Sequence, residues 1–268
     1  MIGVIAGEGS LPKVLINFFL LKKVNFLVIN LAKKKLKKKN FFNFKITQLS
    51  EIIETLKKNN CNKIVLAGKV TRPRIQDLKI DLTTLSIVPK IIKSFRKGDS
   101  FALDVIIDHF KKMNIQVVSC TKYLPELGAE NLKKFFQISA NDKKDIEKGK
   151  SVLNYINNKY DVGQSIIINN GYIIGIEAAE GTDEMILKSK SILKKINKDK
   201  TGGVLVKIPK KIQDLRVDLP TIGYNTIRNC IKIGLRGIAL KKDQNIFLDQ
   251  EKSLNLIKRN NFFIAFIN

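Results

Sequence analysis

"IGVIAGEGSLPKVLINFFLLKK" runs from Ile2 to Lys23. An apolar run, Ile2 to Ala6, stops at Gly7 and Gly9, and helix-like apolar spacing starts at Leu11. A short apolar strand, a glycine turn and a helix form the first half of a β-α-β unit. Glycines at such a strand exit let backbone N–H groups face an anion, and the helix N-terminus adds positive potential. A tight strand-to-helix turn would use the same glycines, so both readings stay open at Gly7, Gly9 and Leu11.

The pattern continues outward. "NFLVIN" reads as a strand, "LSEIIETLKKN" as a helix and "KIVLAG" (Lys63 to Gly68) as a strand. "DSFALDVIIDHFKKM" is a helix with Asp99 as its cap, and "IQVVS" is a strand. Short apolar strands alternating with helices predict a parallel sheet covered on both faces. Residues 130–150 are polar and charged, which predicts a boundary or linker. Asn170-Gly171 lies between two β-branched runs, "SIIIN" and "YIIGI", and predicts a tight hairpin, because both turn residues need positive φ. A second α/β region ends in "FFIAFIN". The fold class is α/β: an N-terminal Rossmann-like parallel-sheet domain over 1–130 and a second, mixed-sheet α/β domain over 131–268.

A chain of 268 residues can bury a sizeable core. Its 3 cysteines have no CxxC spacing, which suits a reducing compartment and argues against a disulfide framework. The opening residues carry no basic leader, and Lys22 and Lys23 interrupt the longest apolar stretch. A cytoplasmic protein is expected. The net charge is +25, and "KKKLKKK" (Lys33 to Lys39) resembles a nucleic-acid or anionic-membrane patch. Lys, Asn and Ile are abundant throughout, so a compositional drift explains the charge as well. Base-stacking aromatics are not interleaved with the lysines, and no specific nucleic-acid partner is expected.

Five stretches could carry chemistry. Beside "IAGEGSLP" stands "GKVTRP" (Gly68 to Pro73), at the carboxyl end of a presumed parallel strand. Its Lys69 and Arg72 could hold phosphate, or be surface cations. "KGDSFAL" contains Asp99, most simply a helix cap. "IEAAEGTDEMIL" (Ile176 to Leu187) brings Glu177, Glu180, Asp183 and Glu184 together after Thr182 or before it. Acids in a first helical turn suit the dipole, and such a cluster could also contribute to a Mg²⁺ site. "PKKIQDLRVDLPTIG" (Pro209 to Gly223) places Asp214 and Asp218 four residues apart around Arg216. A helical turn would bring the two carboxylates together; a straight segment would leave a surface ion-pair strip. The single histidine, His109, sits on a helix among apolar residues. No Ser–His–Asp triad, Cys–His pair or His-rich dimetal centre follows from this chain.

Taken together, "IAGEGSLP", "GKVTRP", Gly98-Asp99, "GIEAAEGTDEMI", "GGVLVKIPKKIQDLRVDLPTIG" and "GLRGIAL" resemble the LpxI-type UDP-2,3-diacylglucosamine pyrophosphatase (diphosphatase) family. The motifs occur in family order over nearly the whole chain. Ser100 stands where the family pattern has a second aspartate. The resemblance implies Mg²⁺-dependent hydrolysis of UDP-2,3-diacylglucosamine to 2,3-diacylglucosamine 1-phosphate and UMP, in lipid A synthesis. It implies two domains with the substrate between them, a homodimer, and an essential aspartate at Asp218. It also places the work beside the inner-membrane surface, through the lipid substrate. The candidate set is then Asp218 and Asp214 for catalysis, and Asp218, Asp214 and Glu180 for the metal. Substrate binding falls to Gly7, Gly9, Leu11, Lys69, Arg72, Asp99, Thr182, Asp183, Lys207, Gln213 and Arg216. Two other classes stay open: a non-catalytic nucleotide-sugar-binding module, and a basic RNA- or membrane-surface-binding protein.

Overall fold

The computed structural model describes residues 1–71, 74, 87–95, 98–128, 137–198, 201–211 and 213–268, the Asp99 side chain apart. Arg72 and the expected 130/131 border lie outside those residues. The chain divides into two compact units. Unit 1 is Met1–Pro125 with Asp214–Asp218; unit 2 is Glu126–Gln213 with Leu219–Asn268.

Unit 1 contains β1 (Ile2–Ala6), α1 (Leu11–Leu21), β2 (Phe26–Asn30), β3 (Phe41–Asn43), α2 (Leu49–Lys58), β4 (Lys63–Ala67), α3 (Val88–Phe95), α4 (Asp99–Lys112) and β5 (Gln116–Val117). The strands pair in parallel in the order β3-β2-β1-β4-β5. This is the expected Rossmann-like arrangement. Helices cover the sheet, so the central strands are apolar on both sides rather than alternating. Leu27, Ile29, Ile52, Leu56, Ile64, Ile107 and Phe110 form the core of one face. Each such fully buried side chain contributes about 1.5–3 kcal/mol. Pro12 sits in the first turn of α1, where its missing N–H costs nothing. Asp99 is the first residue of α4, with Gly98 at the cap position at φ 139°, one residue from the expectation.

Unit 2 contains α5 (Ala140–Lys159), β6 (Ser165–Asn169), β7 (Tyr172–Ile176), α6 (Thr182–Lys188), α7 (Lys190–Asn197), β8 (Val204–Lys207), β9 (Thr221–Ile222), α8 (Tyr224–Lys232), β10 (Gly237–Lys241), β11 (Ile246–Phe247), α9 (Gln250–Arg259) and β12 (Phe263–Ile267). Its main sheet has the order β12-β10-β8-β6-β7, mixed in direction, and β9 and β11 form a small parallel pair. Both faces are covered. Ile167, Leu205, Ile238 and Ile264 pack on one side, and Ile166, Ile168, Val206 and Ala265 on the other. The hairpin turns at Asn170 (φ 47°) and Gly171 (φ 79°), as its sequence predicts. Buried Asp145 accepts both turn amides, at 2.8 and 2.7 Å. Residues 140–150, expected as linker, are instead the first half of α5. Ser139 and Asp142 form its capping box. Lysines on the solvent face hide a helix whose buried stripe, Asp142, Asp145, Ile146, Gly149, Leu153 and Asn157, is itself half polar.

Candidate active site

The exits of neighbouring strands β1 and β4 lie side by side in unit 1. Gly7 N donates to Ala67 O (2.8 Å), Glu8 N to Lys69 O (2.7 Å) and Lys69 N to Glu8 O (2.9 Å). This bridge explains two glycines. A Cβ on Gly7 would stand 2.4 Å from the Lys69 carbonyl oxygen; one on Gly68, at φ +88°, would stand 2.6 Å from that of Glu8. The Gly7 amide therefore closes the bridge instead of facing an anion. Gly9, at φ +107°, has open space around it, and Leu11 opens α1. The Lys69 side chain is exposed.

Residues 214–218 form one closed turn. Asp218 N donates to Asp214 O at 3.0 Å and Val217 N to the same oxygen at 3.1 Å. The turn brings the two aspartates one above the other along the backbone. Asp214 is gripped by Arg216: the backbone amide reaches Oδ1 at 2.9 Å, Nε reaches both oxygens at 3.0 Å, and Nη2 reaches Oδ2 at 2.5 Å. Those guanidinium hydrogen bonds hold the Asp214 carboxyl below its ordinary range. Val217 packs on the core of unit 1.

Asp218 stands on the wall of an apolar cavity of about 290 Å³ within unit 1. Leu31, Leu49, Leu66, Ile91, Phe110 and Val217 supply its hydrocarbon surface. Gly68, Val70 and Thr71, from the "GKVTRP" stretch, share the same wall. The cavity thus unites two motifs that lie far apart in sequence. Sequence reasoning passed over Asp104, half-buried on α4. Burial first, then Asp214 and Asp108, raise its carboxyl above the usual range, while Arg216 opposes them. Asp104 and Asp108, four apart on a helix, share one face; that spacing was the available signal.

Unit 2 gathers a second cluster. Lys207, at the end of β8, is 4% exposed. Its Nζ donates to Thr182 Oγ1 (2.8 Å) and Ser165 Oγ (3.2 Å) and lies 3.7 Å from Glu177 Oε2. Burial pushes the Glu177 carboxyl up, but Lys207 and hydrogen bonds from Ser165, Thr182 and the Gln164 amide outweigh it and leave it below the ordinary value. Lys207, expected among the substrate-binding cations, is buried with these partners around it. Gln213 is buried too; its Oε1 accepts from Gln164 Nε2 and Lys210 N, both at 2.9 Å. Lys210 pairs with Asp161. Asp183 is exposed in the first turn of α6, and Glu180 lies in the turn before it.

His109 is buried, its Nε2 makes no hydrogen bond among the described residues, and burial lowers its pKa. All three cysteines are buried and free, and burial pushes the Cys120 thiol up to about 11. Neither residue type offers a nucleophile or base here. Among the described residues, no three His, Cys, Asp or Glu side chains form a metal-binding group. Mg²⁺ needs no such cage, since one or two carboxylates, waters and substrate phosphates commonly hold it. Asp218, on the cavity wall, and Asp214, whose oxygens also hold Arg216, are donors of that kind.

Two family descriptions match the chain: the LpxI N-terminal domain over residues 1–127 and the LpxI C-terminal domain over residues 131–265. The chain is also 30% identical, over 257 residues, to the UDP-2,3-diacylglucosamine pyrophosphatase LpxI of Caulobacter vibrioides. That alignment covers 93% of this chain and 91% of the relative. With both halves of the chain matched in order, the second of them including the turn that carries Asp218, the chain belongs to the LpxI family.

Proposed function

We propose that this chain is a cytoplasmic hydrolase that cleaves the pyrophosphate of UDP-2,3-diacylglucosamine to 2,3-diacylglucosamine 1-phosphate and UMP, in lipid A synthesis, with Mg²⁺. The observation that carries the reading is the cavity of unit 1, which the described residues line mostly with hydrocarbon and with the Asp218 carboxylate. A doubly acylated sugar nucleotide has this same division. Its acyl end seeks hydrocarbon surface, and its diphosphate end needs charge and a positioned water. The relative's name supports the same substrate.

In this reading the oxygen of a water attacks one phosphorus, the bond from that phosphorus to the bridging oxygen breaks, and the two monophosphates separate. Asp218 orients the water and accepts its proton. Arg216, held in place by Asp214, presents a fixed cation to the phosphoryl oxygens, with Lys69 as a second. Lys207 acts indirectly, by fixing Thr182 and Glu177. Mg²⁺, held by Asp218 and the substrate phosphates, would neutralise charge that develops on those oxygens. The test is hydrolysis of UDP-2,3-diacylglucosamine in ¹⁸O-labelled water, with and without EDTA. Turnover that EDTA abolishes and Mg²⁺ alone restores, with label in one monophosphate, is expected. Tight binding of the UDP-lipid with no turnover under any metal condition would overturn the reading. A homodimer is expected and is measured by light scattering on the same sample.

A further inference from the structure

We infer that the passage between β2 and β3 is a docking surface for an anionic lipid bilayer. Lys33, Lys34, Lys35, Lys37, Lys38 and Lys39 are all exposed, with only the half-buried Leu36 among them. Six like charges in so short a run repel one another and favour an open, solvated chain. This run is instead held along its length. Buried Asn30 donates from Nδ2 to Lys34 O (2.9 Å) and to Asn43 Oδ1 (2.8 Å). Asn43 and the Leu36 backbone exchange two hydrogen bonds, each 2.9 Å. Lys33 N donates to Glu8 Oε1 at 2.8 Å, and Phe41 N to Lys38 O at 3.1 Å. The lysine side chains thus project from a backbone that is already ordered, so docking requires little further ordering.

Position selects the partner. Leu31, immediately before the lysines, lines the apolar cavity, and so do Ile46, Thr47 and Leu49 immediately after β3. The basic run is therefore bracketed on both sides by walls of the cavity. A bilayer presents anionic headgroups over hydrocarbon, the same pairing of charge and apolar surface. Nucleic acid fits less well, because stacking needs free aromatic faces. Of the three rings that follow the run, Phe41 is half-buried, and Phe42 and Phe44 pack on the core of unit 1. The inference rests on the proposed lipid substrate only for the use made of the cavity.

The test is co-sedimentation of the full chain, without substrate, with vesicles of phosphatidylcholine alone or with a third phosphatidylglycerol. Two variants are compared. One changes the six loop lysines to Gln; the other changes Lys143, Lys144, Lys188, Lys190, Lys195 and Lys198 of unit 2 to Gln, at equal net charge. Each lysine near an anionic surface is worth roughly fivefold in partition. The wild type should bind only the anionic vesicles and come off as salt rises. The loop variant should lose at least tenfold more affinity than the control variant, while keeping its melting temperature and its turnover of detergent-dispersed substrate. Equal losses in the two variants would overturn the inference, because binding would then follow net charge alone. So would tight binding of single-stranded RNA without sedimentation on vesicles. A chain that binds vesicles but hydrolyses nothing would sink the proposed activity and leave the docking surface standing.

Discussion

Asp218 and Asp214 share a turn and differ in surroundings, and their variants should differ accordingly. Asp218 stands on the cavity wall. A carboxylate that orients water acts mainly in the transition state, so Asp218→Ala should lose about 10³-fold or more in kcat, roughly 4 kcal/mol, while still titrating the UDP-lipid. Unchanged melting temperature completes the expectation; unfolding, or activity with weakened binding, would assign the acid a structural role. Asp214→Asn releases Arg216 and should show a milder kcat loss. At His109 the sign of a pH effect can be worked out. Burial lowers its pKa below the ordinary 6.5, so the unfolded chain takes up a proton that the folded chain refuses. Its stabilisation is complete above that value and is lost as pH falls through the window beneath it. Between pH 7.5 and pH 5 the melting temperature should therefore drop more in the wild type than in His109→Gln, with turnover kept within about tenfold. Identical drops would show that His109 does not titrate on unfolding. Asp218, Asp214 and the lone histidine stand out as candidates because residue type and local spacing expose them. Asp104 does not, because its raised carboxyl depends on burial and on Asp214, more than a hundred positions away.

Elements became legible wherever their periodicity was uninterrupted. β1, β2, β4 and the Asn170-Gly171 hairpin follow from apolar runs and turn chemistry that act over a few residues. β3 escaped because three residues carry no period, and α5 because its many lysines and asparagines mask a narrow buried stripe. Its start signal was nonetheless present at Ser139, whose Oγ accepts from Asp142 N at 3.1 Å. Ser139→Ala should cost about 1 kcal/mol, read as a melting temperature about 2–4 °C lower. No change would mean that packing alone fixes that helix end. The buried pair that ties β7 to β8 makes a stronger demand. Lys207→Met strands Glu177 without its counter-charge and should destabilise by about 3–5 kcal/mol, whereas the double change with Glu177→Leu should recover most of that loss. Equal destabilisation in single and double variants, measured by urea titration, would refute the pairing as the cause.

The molecule as a whole carries a charge of +25, yet its fold is built from apolar strands that ignore it. The sheet classes of both units were readable for that reason. The path of the chain was not: a reading by contiguous halves gives all of 131–268 to the second domain, while Asp214–Asp218 belongs to the first unit. The apolar seat of Val217 and the place of Asp218 on the cavity wall reveal this, and no local pattern encodes a seat. Fragments 1–130 and 140–268, expressed separately, should each be inactive, the first because it lacks a wall of its own cavity. Turnover by either fragment alone would contradict this. The same five residues also bear on how the protein comes apart. The turn is flanked on both sides by chain of unit 2, at Gln213 and Leu219. Once unit 2 melts, those flanks are tethered to random coil, whose entropy pulls the turn from its place. Loss of order in one unit thus removes stability from the other through covalent connection. Urea unfolding should then be a single cooperative event, with Ile64 and Ile238 amides losing hydrogen-exchange protection at the same denaturant concentration. Two separated transitions would show that the turn releases without consequence.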